Sequence, residues 1–78
     1  MIVRFYGRLA DAIGQEAEVN ADGATCVGHI RRLLLADHPG AADTLSRARA
    51  CLGNMLVDDG ESVTADDRVE FLPPVSGG

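Results

Sequence analysis

The sequence predicts an α+β roll, in which a mixed sheet packs across one main helix and a short C-terminal tail projects from it. Three observations carry this. Alternating apolar residues open the chain at Ile2–Tyr6, and one amphipathic stripe follows Cys26. Short apolar segments then lead to Phe71-Leu72, directly before two prolines. At 78 residues the chain is one domain, near the lower limit of what folds without disulfides or metals. A hydrophobic content of 46% is enough for a packed core and argues against disorder.

Taken in order, Ile2-Val3-Arg4-Phe5-Tyr6 reads as a strand inside the sheet, with Val3 and Phe5 on the core face and Arg4 opposite. Arg8–Ile13 makes one or two helical turns, pairing Leu9 with Ile13 at i,i+4 and stopping at Gly14. Glu16-Ala17-Glu18-Val19 is a short return strand. The main helix opens at Thr25 or Cys26 and runs to about Asp37. Its stripe is Val27, Ile30, Leu33 and Leu34, and Arg31 and Arg32 fall on the wet face. Gly28 weakens the first turn by about 0.5–1 kcal/mol relative to alanine. His38-Pro39-Gly40 closes the helix, and Ala41–Ala48 reads as a poorly ordered turn or short helix. Arg49–Leu52 and Met55–Val57 are strands joined by Gly53-Asn54. Asp58-Asp59-Gly60 turns the chain, Val63 plugs the core, and Arg68–Leu72 is the final strand.

Composition excludes several functions. The net charge is −5 and all seven basic residues are arginine. An acidic surface disfavours nucleic acid and anionic membrane and suits a partner with a basic docking face. Without lysine, the chain cannot build lysine-linked polymers of itself. No apolar run approaches a membrane span, and Ile2 opens a strand with no signal-peptide pattern before it, so a cytoplasmic, unprocessed protein is expected. Cys26 and Cys51 lack metal-ligand spacing and read as small buried hydrophobes. His29 and His38 have no nucleophile or paired carboxylate beside them and read as surface or capping residues.

The chain ends Pro73-Pro74-Val75-Ser76-Gly77-Gly78. Proline fixes φ and lacks an N–H, so the two prolines end the strand and drive an extended exit. The expected division is a domain at 1–72 and a tail at 73–78, which fully extended reaches about 20 Å. Gly77 and Gly78, lacking Cβ, can thread a narrow channel and present an unhindered terminal carbonyl carbon. At the tail's root, alternation turns Val69 and Phe71 inward and Glu70 and Leu72 outward. Leu72 with Leu56 and Tyr6 makes a candidate docking patch.

The segment Asp67–Gly78 resembles the C-terminus of the MoaD-like sulfur carriers, the small subunits of molybdopterin synthase in the MoaD/ThiS ubiquitin-like family. Val3–Gly14 resembles that family's first strand and following turn. Cys26, Gly53 and Asp66-Asp67 depart from the threonine, asparagine and Asp-Gly usual there. The resemblance implies a ubiquitin-like β-grasp fold and a Gly78 carboxylate that is adenylated and then converted to a thiocarboxylate, with Gly77 as its clearance. It implies partner contacts through Tyr6, Leu56, Leu72, Pro73, Pro74, Val75 and Ser76. No metal and no cofactor is expected on this chain, which would be a carrier and not an enzyme. Mg-ATP would belong to an E1-like adenylyltransferase, and the other expected partners are a sulfur-donor enzyme and a large synthase subunit in a heterotetramer. Three alternatives stay open: a carrier for thiamine thiazole, cysteine or RNA thiolation; a ubiquitin-like protein modifier; and a passive interaction domain.

Overall fold

A computed structural model describes residues 1–20, 23 and 25–74. Along the chain run β1 (Ile2–Phe5), α1 (Gly7–Ile13), β2 (Glu16–Glu18), β3 (Thr25–Cys26) and α2 (Val27–Asp37). A 3-10 turn (Pro39–Ala41) and α3 (Ala42–Arg47) follow. The chain then forms β4 (Arg49–Leu52), β5 (Met55–Val57), β6 (Ser62–Val63) and β7 (Val69–Leu72). Five strands form one mixed sheet in the order β2-β1-β7-β4-β5. β1 and β7 are parallel, and the other neighbours are antiparallel. The first strand lies inside this sheet, as its apolar alternation predicts. With α2 across one face, the fold is a β-grasp.

Register explains the core. Phe5 stands opposite Phe71 and Phe71 opposite Ala50, while Val3 and Leu52 flank Val69. The Phe5 and Phe71 rings stack with centroids 6.3 Å apart, within the range where aromatic pairs attract. Onto this row α2 lays Val27, Ile30 and Leu34, all buried, with Leu33 packed at the margin. Leu9 of α1, Leu45 of α3 and the Val63 plug complete the cluster. The alternation of β7 is buried–partial–buried–partial, as its sequence requires.

Four expectations need correction. Thr25 and Cys26 do not begin the helix: they pair with Val63 and Ser62 as a two-stranded ribbon, and extended Cys26 is the N-cap without a side-chain bond. Ala41–Ala48 is ordered, because the wholly buried Leu45 anchors α3. Cys26 and Cys51 are both half-buried free thiols, since β3 and the outer face of β4 are covered on one side only.

Arg31 is the fourth correction. Its side chain is only 13% exposed. Nη1 donates to the Leu45 and Ala48 carbonyls at 2.7 and 2.8 Å, and Nη2 donates to Asp59 Oδ1 at 2.8 Å. The guanidinium lies 5.0 Å from the centre of the Phe71 ring. One charged group thus binds two carbonyls at the end of α3, adding to the Ala48 N–H that already reaches the Leu45 carbonyl at 3.2 Å. Gly28 has a similar local reason: its N–H bonds the Asp59 carbonyl at 2.9 Å. A Cβ there would come within 3.2 Å of Asp59.

Candidate functional site

The helices cover one face of the sheet, and the residues on the other face are determined by register. Across it run Glu16, Arg4, Glu70, Cys51 and Leu56, one from each strand. Arg4 Nε meets Glu16 Oε2 at 3.4 Å, both well exposed, so this pair adds little stability. The Tyr6 hydroxyl donates to Glu70 Oε2 at 2.6 Å across the β1–β7 boundary. That bond, together with the negative charge of Glu70, raises the phenol's pKa above its ordinary value.

Toward the end of β7 the same face becomes apolar. Leu72 stands opposite Arg49 on β4. Leu72, Leu56, Arg49 and Pro73 line an open cavity of about 280 Å³. Leu56 is 57% exposed and Tyr6 40%. The Tyr6 N–H donates to the Phe71 carbonyl at 3.3 Å, which keeps Tyr6 on the other side of Leu72 from Arg49. Leu56 and Leu72 therefore share one hollow. Tyr6 flanks Leu72 from β1 and leans toward Glu70.

Pro73 and Pro74 are half-buried and carry no regular secondary structure. Val75, Ser76, Gly77 and Gly78 lie outside the described residues. A larger hollow of about 530 Å³, lined by Leu52, Asp66, Asp67, Arg68 and Glu70 among others, sits near the start of β7, away from the tail. Its walls are mainly charged turn residues, so size alone does not select the site.

The contribution of Arg49 was not foreseen. Ala50 and Leu52 on the core side imply that Arg49 and Cys51 face out. That Arg49 meets Leu72 depends on which strands are neighbours, and one strand's pattern does not contain that. His29 is exposed, and His38 ends α2, its N–H bonding the Leu34 carbonyl at 2.9 Å. Among the described residues, no three His, Cys, Asp or Glu side chains are grouped to hold a metal. No helix there is long and apolar enough to cross a membrane.

A β-grasp whose last central strand leads directly into Pro73-Pro74, with an apolar hollow at the root, defines a small ubiquitin-like fold. Residues 3–78 match the model of the ThiS family, and the chain belongs to that family. No curated protein sequence matches it. Among solved structures, SAMP1 of Haloferax volcanii is 24% identical, with 99% of this chain and 97% of that one covered and a TM-score of 0.81. A proposed molybdopterin converting factor subunit 1 of Pyrococcus furiosus is 18% identical, covering 95% of each chain at 0.79. A complex of subunits 1 and 2 of the Helicobacter pylori molybdopterin-converting factor matches at 24% identity, 99% and 96% coverage and 0.67. At these identities the structural likenesses speak for the fold.

Proposed function

We propose that the chain is the sulfur-carrying small subunit of a molybdopterin synthase. The observation that carries this reading is the direct passage of β7 into Pro73-Pro74 beside the Leu56–Leu72 hollow, in a sequence that continues Val75-Ser76-Gly77-Gly78. The family match supports the carrier class, and the Pro73-Pro74-Val75-Ser76-Gly77-Gly78 ending, which resembles that of the MoaD-like carriers, favours this pathway.

The chemistry follows from the poor reactivity of a carboxylate, which repels nucleophiles and has no leaving group. Transfer of AMP from ATP to the Gly78 carboxylate releases pyrophosphate and makes a mixed anhydride. A sulfur nucleophile attacks the carbonyl carbon, and one original carboxylate oxygen departs with AMP. The resulting thiocarboxylate carries a sulfur that is nucleophilic at neutral pH. In this reading it enters the large subunit's active site, where the sulfur bonds to a carbon of a cyclic pterin precursor and displaces an oxygen substituent. Water then attacks the Gly78 carbonyl carbon, the acyl C–S bond breaks, and the sulfur stays on the pterin while the Gly78 carboxylate is restored. Acid–base groups and Mg-ATP belong to the partners, and this chain's residues serve to dock and to hold the tail. Tyr6, Leu56 and Leu72 would meet the large subunit, where burying one leucine contributes about 1.5–3 kcal/mol.

The test is the intact mass after incubation with the cognate activating enzyme, Mg-ATP and a sulfur donor. One oxygen-for-sulfur exchange is expected, absent when Gly78 is deleted. No exchange, with an activator competent on another carrier, removes the proposal. The SAMP1 likeness favours a second reading, a modifier joined to lysines of other proteins. It predicts ATP-dependent conjugates on a denaturing gel.

A further inference from the structure

We infer that Gly7 is a positioning residue for the tail: its bare Cα is the seat of Pro73, and that seat sets the line along which the chain leaves the fold. The inference rests on the reading of the tail as the working end. Because β1 and β7 are parallel, both finish at the same edge of the sheet. There the chain after β1 turns back into α1 through Gly7, while β7 continues outward into Pro73. The Tyr6 N–H on the Phe71 carbonyl fixes the two exits side by side, at 3.3 Å.

A Cβ on Gly7 would lie 2.8 Å from Pro73 Cγ and 3.6 Å from its Cδ. Carbon atoms in contact prefer about 3.5–4.0 Å. Cγ is the flap of a ring closed on its own backbone nitrogen, so it yields either by a change of ring pucker or by a shift of the Pro73 backbone, whose φ the ring holds at about −65°. Where the backbone takes up a displacement of about 0.7 Å over one 3.8 Å Cα step, the line on which the chain leaves Pro73 swings by about 10°. Misplacement by about 1 Å at a reacting centre is enough to cost on the order of a hundredfold in rate.

Gly7 also has φ +59, so an alanine there would mix backbone strain with collision. Asparagine tolerates that region yet still carries a Cβ. Gly53 supplies the control: its φ is +64, and a Cβ there would meet nothing within 4 Å.

The experiment compares kcat/KM for thiocarboxylate formation, and thermal midpoints, in wild type, Gly7→Asn, Gly53→Asn, Pro73→Ala and Gly7→Asn/Pro73→Ala. Gly53→Asn is expected to load as wild type, and Gly7→Asn about ten- to a hundredfold more slowly. The double variant is expected to regain loading relative to Gly7→Asn. A purely structural glycine would not be rescued at Pro73. If Gly7→Asn is too unstable to load, recovered folding in the double variant assigns the loss to the Pro73 contact, and a double variant equally unstable overturns it. Loading by Gly7→Asn equal to Gly53→Asn, or a double variant that loses the sum of both single losses, overturns the inference while leaving the carrier reading intact. A wild type that takes no sulfur overturns both.

Discussion

Val69 and Phe71 have no exposed surface, whereas Glu70 and Leu72, between and after them on the same strand, look out from the sheet. Four consecutive residues thus divide two duties between two faces. The inner pair is fixed by Val3, Phe5, Ala50 and Leu52 and by the helices above. In the outer pair, Glu70 bonds Tyr6 and stands in register with Arg4 and Cys51, and Leu72 stands opposite Arg49, a sparse row that leaves an open hollow. A face packed this tightly tolerates almost no change of shape, while a sparse one can be altered without unfolding the protein. A small chain can therefore hold its fold with one face and address partners with the other.

This contrast can be broken most directly at Phe71. Phe71→Ala should cost about 3–5 kcal/mol in denaturant unfolding, since it empties a site between Phe5 and Ala50. A loss below 1 kcal/mol would mean the core is not organised around that ring. Its neighbour should behave oppositely. Leu72→Asp should leave the unfolding midpoint nearly unchanged and weaken association with the cognate large subunit about ten- to a hundredfold by calorimetry. Equal binding would remove the docking role. Arg31→Met, which keeps the packing but abandons the Leu45 and Ala48 carbonyls, should destabilise by about 1–3 kcal/mol. If it proves neutral, the guanidinium is dispensable to the covered face. Cys51→Ser, on the open face, should shift stability by less than about 1 kcal/mol, with unchanged sulfur loading by intact mass. A loss of loading would give this thiol a role that its surroundings do not suggest.

The smallest effect sharpens the picture at Tyr6, the chain's one tyrosine. Glu70 holds its phenol above the ordinary value of about 10. A group whose pKa is raised on folding contributes stability below its unfolded value and loses it as pH climbs through the folded one. The Tyr6–Glu70 bond should therefore persist through neutral pH and fade only above about 10. Phenolate absorbance should titrate at lower pH in Glu70→Gln. No difference between the two titrations would mean the bond does not form in solution.

Much of the fold is written in local pattern. Strand alternation at Val3/Phe5 and Val69/Phe71 assigned faces that the sheet keeps, and the Val27–Ile30–Leu34 stripe became the helix's buried side. The failures share a cause. Arg31 follows Ile30 and looks solvent-facing on a helical wheel, but α3 and the Asp59 turn close over it. The β3–β6 ribbon joins two-residue strands from distant parts of the chain, too short for any period. Leu45 had little local support because the turn before it is 3-10. For the site, Leu72 and Leu56 could be read as outward residues, yet their sharing a hollow with Arg49 depends on strand order. The Tyr6–Glu70 bond likewise links residues 64 positions apart.

The parallel pairing of β1 with β7 has a mechanical consequence. A tail that is gripped and drawn into a partner transmits tension to the central strand of the sheet. Against a restraint on the start of β1, that tension slides two side-by-side strands past each other. It therefore loads their rungs together, not one after another as in an unzipping hairpin. β4 adds a second, antiparallel set of rungs on the far side of β7. The strand that leads into the tail is thus braced against pulling along its own axis. A tail can be threaded, held and withdrawn while the body it is attached to keeps its shape.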